Sequence, residues 1–315
     1  MKCVVCKTTM PSNERGNISF ARHPFFTSEQ MCPKHANESN RRCCGCHRFE
    51  PEDSGFVELL DANRCACSSC CRTIVVDSKE AESLWKNVIK FFEDLGLPIW
   101  PEMCEIPVLV VGFSALNSQM GNNKAHSGSS QIMSRGLCLT EHQVGSLFEL
   151  PRKKFDSTTG SFRSSDIEGK GFTKFEIPEI PRNIQASSVT AILCLSGLPS
   201  DLTSSILAHE ATHAWFKLHP SFDVTRPLSM QVEEGCCQLM SMLFLNNGLP
   251  PVPKYTSSVE NPSDKKLRQY FKFCIETEEN EIYGDGYRLA AKAYAAIGLE
   301  ALLNHVVRYH DFPLI

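Results

Sequence analysis

Ile206-Leu207-Ala208-His209-Glu210-Ala211-Thr212-His213-Ala214-Trp215 decides how the rest of the chain is read. The stretch sets His-Glu-x-x-His inside an apolar helical pattern. Histidines four apart lie on one helix face about one turn from each other, so both imidazoles can reach a single Zn²⁺. Glu210, next to the first histidine, then sits beside the metal without ligating it, placed as the general base for a water that the metal activates. The competing reading is a buried helix that carries a His pair by accident, and the pentapeptide is specific enough to set that second.

Working outward, the chain has 315 residues and is 42% hydrophobic, enough for one medium domain with a sizeable core plus something smaller. A net charge of -4 and a pI near 6.2 give no electrostatic footprint for nucleic acid. The basic clusters Arg152-Lys153-Lys154 and Lys265-Lys266 are short and read as solvated faces. Met1-Lys2-Cys3-Val4-Val5-Cys6 has no apolar run of signal-peptide length, and Ile106 to Phe113 is too short to span a bilayer. These features predict a soluble intracellular protein, cytoplasmic or nuclear, with neither membrane nor nucleic acid as partner.

Ten of the sixteen cysteines fall before residue 72, in repeated x2 pairs that read as reduced metal ligands rather than disulfides. Residues 1–76 form a candidate zinc module. Cys3-x2-Cys6 and Cys32-x2-His35 supply one tetrahedral site; Cys43-x2-Cys46 and Cys67-x2-Cys70 supply a second. Closed four-ligand sites leave no position for water, so these two zinc ions stabilise and do no chemistry. His23, in His23-Pro24-Phe25-Phe26, is a rival ligand for the first site, and packing is its commoner role. Cys44, Cys65 and Cys71 are surplus and read as buried small apolar residues. The module resembles a LIM domain with irregular spacings.

Asp77 or Ser78 can cap a helix whose apolar positions are Leu84, Val88, Phe91, Phe92 and Leu95, ended by Gly96 and Pro98. It is expected to connect the module, over 77–100, to a second domain spanning 101–315. Ile106 to Val111 and Val189 to Leu195 read as strands, Asn117 to Ser130 as a loop, residues 150–185 as hairpins and turns, and 248–264 as a loop. Gly197, Pro199 and an Asp201 cap lead into the His-Glu-x-x-His helix. Strand followed by active-site helix is the order of zincin peptidases, in which an edge strand lies over the metal and pairs with an extended substrate.

A catalytic zinc has three protein ligands and one open position. Val232-Glu233-Glu234-Gly235-Cys236-Cys237-Gln238-Leu239-Met240 is helical in pattern and offers two carboxylates. A helical wheel puts Glu233 nearer the apolar stripe of Val232, Cys236, Met240 and Leu243. The run of apolar and small residues around Glu234, and its distance from His213, instead resemble the glutamate helix of gluzincins, which implies Glu234 as the third ligand. Glu233 is then beside the site or exposed, and Gln238 can orient a ligand. Helices starting near Leu267 and within Ala290 to Val307 flank Tyr283-Gly284-Asp285-Gly286-Tyr287-Arg288. Tyr283, Tyr287 and Arg288 are candidate donors to an oxyanion, Tyr283 being the one carried forward.

Cys32-Pro33-Lys34-His35, Arg42-Cys43-Cys44-Gly45-Cys46, Arg135-Gly136-Leu137-Cys138-Leu139, Ile206 to Trp215, Val232 to Gly235 and Tyr283 to Arg288 look together like the plant LIM-domain peptidases. Members of that family are activated by ubiquitin attachment and limit seed and organ growth. The resemblance implies an α+β chain in which a LIM-like double zinc knuckle precedes a gluzincin-type domain. It implies one catalytic and two structural Zn²⁺, with His209 and His213 as ligands and Glu210 as the catalytic acid/base. Its expected partners are protein substrates of ubiquitin-pathway or growth-control type, ubiquitin and ubiquitin ligases. Family members also carry ubiquitin-interacting motifs and a first LIM domain upstream, so this sequence is expected to be a fragment or a shortened paralogue. The rival reading is a catalytically silent LIM-like adaptor.

Overall fold

The computed structural model describes residues 1–36, 41–53, 55–59, 63–122, 135–140, 147–151, 153–156, 161–164, 172–176, 189–247 and 261–315. In chain order the first part holds β1 (Ala21–Arg22), β2 (Gln30–Met31), α1 (Pro33–Ala36), β3 (Val57–Glu58), β4 (Cys65–Ala66), α2 (Ser68–Cys71) and β5 (Ile74–Val75). β1 pairs with β2 and β3 with β4, both antiparallel, so each knuckle is a short hairpin followed by a one-turn helix.

The larger part starts with α3 (Ser78–Asp94), α4 (Pro101–Glu105), β6 (Val108–Val111), α5 (Phe113–Asn122), β7 (Gly136–Thr140), β8 (Leu147–Pro151), β9 (Lys153–Asp156), β10 (Ser161–Ser164), β11 (Phe172–Glu176), β12 (Val189–Leu195) and β13 (Leu198–Pro199). It continues with α6 (Ser200–Leu218), α7 (Met230–Asn246), α8 (Pro262–Glu276), a π-helical turn at Glu281–Asp285, α9 (Gly286–Ile297) and α10 (Leu299–Tyr309). Among the described residues no helix is long and apolar enough to cross a membrane.

Strands β6, β12 and β7 form the central sheet, with β12 in the middle, parallel to β6 and antiparallel to β7. Side chains alternate across it. Val108, Val110, Cys138, Ile192 and Cys194 enter one core with α3, α6, α7 and α9. Leu109, Val111, Leu139, Ala191 and Leu193 enter a second core on the other face. A sheet covered on both faces reads as unbroken apolar runs, which is why Val108-Leu109-Val110-Val111 and Ala191-Ile192-Leu193-Cys194-Leu195 carry no polar alternation.

The second core is shared with the second zinc knuckle: Cys43, Cys46, Cys67, Cys70 and Phe26 pack with Leu193, Leu198, Leu267, Tyr270 and Phe271. β5 pairs with β13, and the first backbone N–H of α6, from Ser200, donates to the Thr73 carbonyl at 2.8 Å. The knuckle is thereby hydrogen-bonded to the start of the His-Glu-x-x-His helix. Likewise α3 is no free strut, since Leu84, Trp85, Val88, Phe91 and Phe92 lie in the first core.

The expected α3 holds, with the Asp77 side chain accepting from Lys79 N at 2.7 Å and Gly96 at φ +76° ending it. Other expectations need correction. Asn117 to Asn122, read as loop, are the end of α5; its first turn is anchored by Leu116 in the second core, and packing outweighs weak helix propensity. Residues 123–134 lie outside the described ones. Asp201 does not cap α6: Pro199 holds that position, and Asp201 accepts from Arg268 Nε at 2.9 Å. α8 begins at Pro262, capped by the Asn261 side chain, so it starts before the expected loop ends; 248–260 are outside the described residues. Within 150–185, β9 and β10 form an antiparallel hairpin and β11 pairs with β8.

Candidate functional site

α6 is buried nearly all round, so its polar residues are there by placement and not by exposure to water. His209 and His213 project toward α7, their ring centroids 5.0 Å apart. α7, capped by Ser229, presents both carboxylates to them. Glu234 Oε2 lies 2.9 Å from His209 Nε2 and 3.7 Å from His213 Nε2. Glu233 Oε1 lies 2.7 Å from His213 Nδ1. The two glutamates therefore divide the work by ring atom: Glu234 faces the Nε2 atoms that converge on one point, and Glu233 grips the far side of one ring. Glu233 thus orients one of the candidate ligands, gripping the His213 ring through Nδ1.

Glu234 is 8% exposed, and its Oε2, though close to both rings, has no aligned hydrogen bond. A buried carboxylate oxygen held between two imidazole nitrogens, with no hydrogen bond of its own, fits a divalent cation at that point. Burial raises the pKa of Glu210, opposed by the charges of His209 and His213. Burial would also raise Glu233, but His213 beside it holds the carboxyl down to about 2. Cys237 Sγ lies with the His209 and His213 nitrogens in one cluster whose members are all within 4.8 Å of each other.

Two glycines set the walls. A Cβ on Gly136 of β7 would stand 2.5 Å from Glu210 Oε1 and 2.6 Å from Ile206, so this edge strand passes directly over Glu210. A Cβ on Gly235 would stand 2.4 Å from the Gly286 carbonyl, so α7 and the start of α9 meet backbone to backbone. That contact seats the π-helical turn beside α7. Burial, then the negative charges of Glu234 and Glu210, push the Tyr283 hydroxyl pKa up. Arg288 is committed elsewhere, donating to Asp285 and to the Glu278 carbonyl, and Tyr287 packs against the first core.

Both knuckle clusters assemble as their spacing predicts. The candidate donor atoms of Cys3, Cys6, Cys32 and His35, and those of Cys43, Cys46, Cys67 and Cys70, each lie within 4.8 Å of one another. His35 turns Nδ1 to Cys32 Sγ at 3.2 Å and Nε2 to Glu52 at 3.3 Å, the carboxylate–histidine pairing of a metal ligand. Arg48 donates from Nε to Cys46 Sγ at 3.1 Å and from Nη2 to Cys67 Sγ at 3.2 Å. His23 is no ligand: its Nδ1 accepts from Phe25 N and Phe26 N, and Nε2 donates to the Cys46 carbonyl at 2.9 Å. Cys44, Cys65 and Cys71 are buried with sulfurs on backbone carbonyls.

Knuckle and edge strand are also joined. Arg135, immediately before β7, donates to His47 Nε2 at 3.1 Å, and His47 Nδ1 meets the Tyr270 hydroxyl at 3.0 Å. His47 follows ligand candidate Cys46, so a polar chain runs from the second knuckle to the strand over Glu210. Sequence reading did not find this link, the Cys237 position, or the pairing of Glu233 with His213; the last two have a signal in the helical spacing from Glu234.

Comparison with known proteins gives a consistent result. The family described as DA1-like (Protein DA1) matches residues 101–309. Protein DA1 of Arabidopsis thaliana is 33% identical over 99% of this chain and 57% of its own length. Protein DA1-related 1 of the same plant is 34% identical over 99% of the chain and 55% of its own. LIM domain-containing protein HDR3 of Oryza sativa subsp. japonica is 33% identical over 99% of the chain and 62% of its own. The chain thus spans somewhat more than half the length of these relatives. No solved structure matches. The matched region takes in the His-Glu-x-x-His helix, the glutamate helix and the tyrosine turn, and on that footing the chain belongs to the DA1-like family.

Proposed function

We propose that this chain is a zinc-dependent endopeptidase of gluzincin type, with a zincin-like domain over 101–315 and a LIM-like module over 1–76. The observation that carries the reading is the convergence of His209, His213 and Glu234 on one point, with Glu210 on the same helix under the edge strand. His209, His213 and Glu234 would hold the catalytic zinc; Cys3, Cys6, Cys32 and His35, and Cys43, Cys46, Cys67 and Cys70, would each hold a structural one. When bound, the catalytic metal supplies a Lewis acid that polarises the scissile carbonyl and acidifies water.

The protein's own groups do the rest. β7, which crosses Glu210, pairs with an extended substrate and lays one peptide bond across the site. Glu210, its carboxyl in a dry setting, takes the proton from the attacking water and returns it to the leaving amine. Tyr283 donates to the oxyanion that develops on the carbonyl. Glu233 holds the His213 ring in orientation through Nδ1. Substrates are proteins of the ubiquitin pathway or of growth control, ubiquitin and its ligases being partners, with no nucleic acid or membrane involved and the cytoplasm or nucleus as setting.

Incubation of the wild type and Glu210→Gln with ubiquitin-pathway proteins, with and without prior ubiquitylation of the enzyme, tests this. Cleavage by the wild type alone, at equal metal content, is the expected result. Cleavage by Glu210→Gln at the wild-type rate refutes the peptidase reading, and no cleavage by either in any arm favours the silent adaptor.

A further inference from the structure

α7 brings a second donor, besides Glu234, to the two histidines. Cys237 stands one turn beyond Glu234, so both side chains leave the same helix face. Its sulfur lies within 4.8 Å of the ligand nitrogens of both His209 and His213, and the residue is 0% exposed. Among the described residues the other buried thiols of the larger part, Cys138, Cys194 and Cys236, join no such cluster. A second observation concerns the same two rings: Glu234, which is not in that cluster, is 8% exposed and sets an Oε2 without an aligned hydrogen bond 2.9 Å from His209 Nε2 and 3.7 Å from His213 Nε2.

We infer that Cys237 is a fourth protein donor to the metal held by His209, His213 and Glu234, giving the site a closed resting form. The inference rests on the metallopeptidase reading above. A site with four protein ligands has no position for water, whereas three leave one open. On closing, the Cys237 thiol gives its proton to solvent, its sulfur forms the bond to the metal, and one water molecule leaves; opening reverses each change. A substrate carbonyl or water must then displace the sulfur, so Cys237 sets a threshold for activity without touching the scissile bond. Thiolate also shifts the site's preference toward softer metal ions.

The test uses the full-length chain. Mild chelation strips the labile metal while the cysteine-rich knuckles stay loaded with zinc, and the site is refilled with Co²⁺ alone. Wild type, Cys237→Ser, Cys237→Ala and His213→Ala are compared by absorption and by bound cobalt. The expected result is a near-ultraviolet sulfur-to-cobalt charge-transfer band in the wild type that is lost in both Cys237 variants while their cobalt stays bound. Cobalt bound in a His213-dependent way with no such band in the wild type overturns the inference and leaves the metallopeptidase reading standing. A band that persists in both Cys237 variants overturns it too. Cobalt uptake that His213→Ala leaves unchanged, or no uptake at all, overturns both.

Discussion

Replacing Tyr270 by alanine tests whether the zinc module and the larger domain unfold as one body. Tyr270 belongs to α8 but is 3% exposed because it is covered by the module: its ring lies 5.3 Å from His23, 5.6 Å from Phe25 and 5.4 Å from Phe26. Its hydroxyl meets His47 Nδ1 at 3.0 Å. Truncating a buried aromatic side chain costs about 3–5 kcal/mol through lost burial and the cavity left behind. Unfolding entropy of about 2 cal/mol/K per residue, over a chain of this length, converts about 4 kcal/mol into a fall in Tm of about 6 °C. All three tryptophans, Trp85, Trp100 and Trp215, lie outside residues 1–76, so their fluorescence reports the larger part. Zinc release to a chromophoric chelator reports the knuckles. Both signals should move down together in Tyr270→Ala. If zinc release shifts while the tryptophan transition stays in place, the shared core does not couple the two parts and the reasoning fails.

Glu234→Gln should lose the catalytic metal, whereas Glu233→Gln should keep it with affinity lowered about 10–100-fold, as for other partners that orient a ligand; elemental analysis after gel filtration decides, and the reverse outcome puts the helix register off by one. Carefully purified protein should carry three zinc ions, two resisting mild chelation, and finding two or fewer removes one proposed site. Gly136→Ala should lift β7 from α6, since its Cβ has no room beside Glu210 Oε1 and Ile206; loss of cleavage with full metal content is expected, and unchanged turnover refutes the placement of the strand over the base.

Much of this site was legible because its chemistry is local in sequence. His209, Glu210 and His213 need only one helix, and each Cys-x-x-Cys pair only one turn. Strand β12 was legible from its length and apolar run. What escaped reading depends on pairs of elements meeting in space. Glu233 and Glu234 are neighbours about 100° apart on a wheel, so a wheel can favour one; the structure uses both, because the two histidines offer different ring atoms to them. Asn117 to Asn122 looked like loop by composition and are held helical by packing at the start of α5. Asp201 matched a cap by residue type, yet Thr73, more than a hundred residues earlier, supplies the partner for the first N–H of α6. Gly235 was noticed only as a small residue; its reason is the backbone of Gly286.

Arg48 gives the second knuckle a property that its ligand count hides. Four thiolates around one divalent ion sum to two negative charges, and this cluster is almost wholly withdrawn from water, with Cys43, Cys46 and Cys70 each 0% exposed. A buried anion of that size is costly unless met by hydrogen bonds and opposite charge. The guanidinium supplies both, with two N–H groups on sulfur, and its own plane is covered by the Phe26 ring 4.8 Å away. The first knuckle, with a neutral histidine among its donors, carries one negative charge less. Of the two candidate structural sites, the deeper one is therefore the one that would hold its metal with the help of a residue that never touches it.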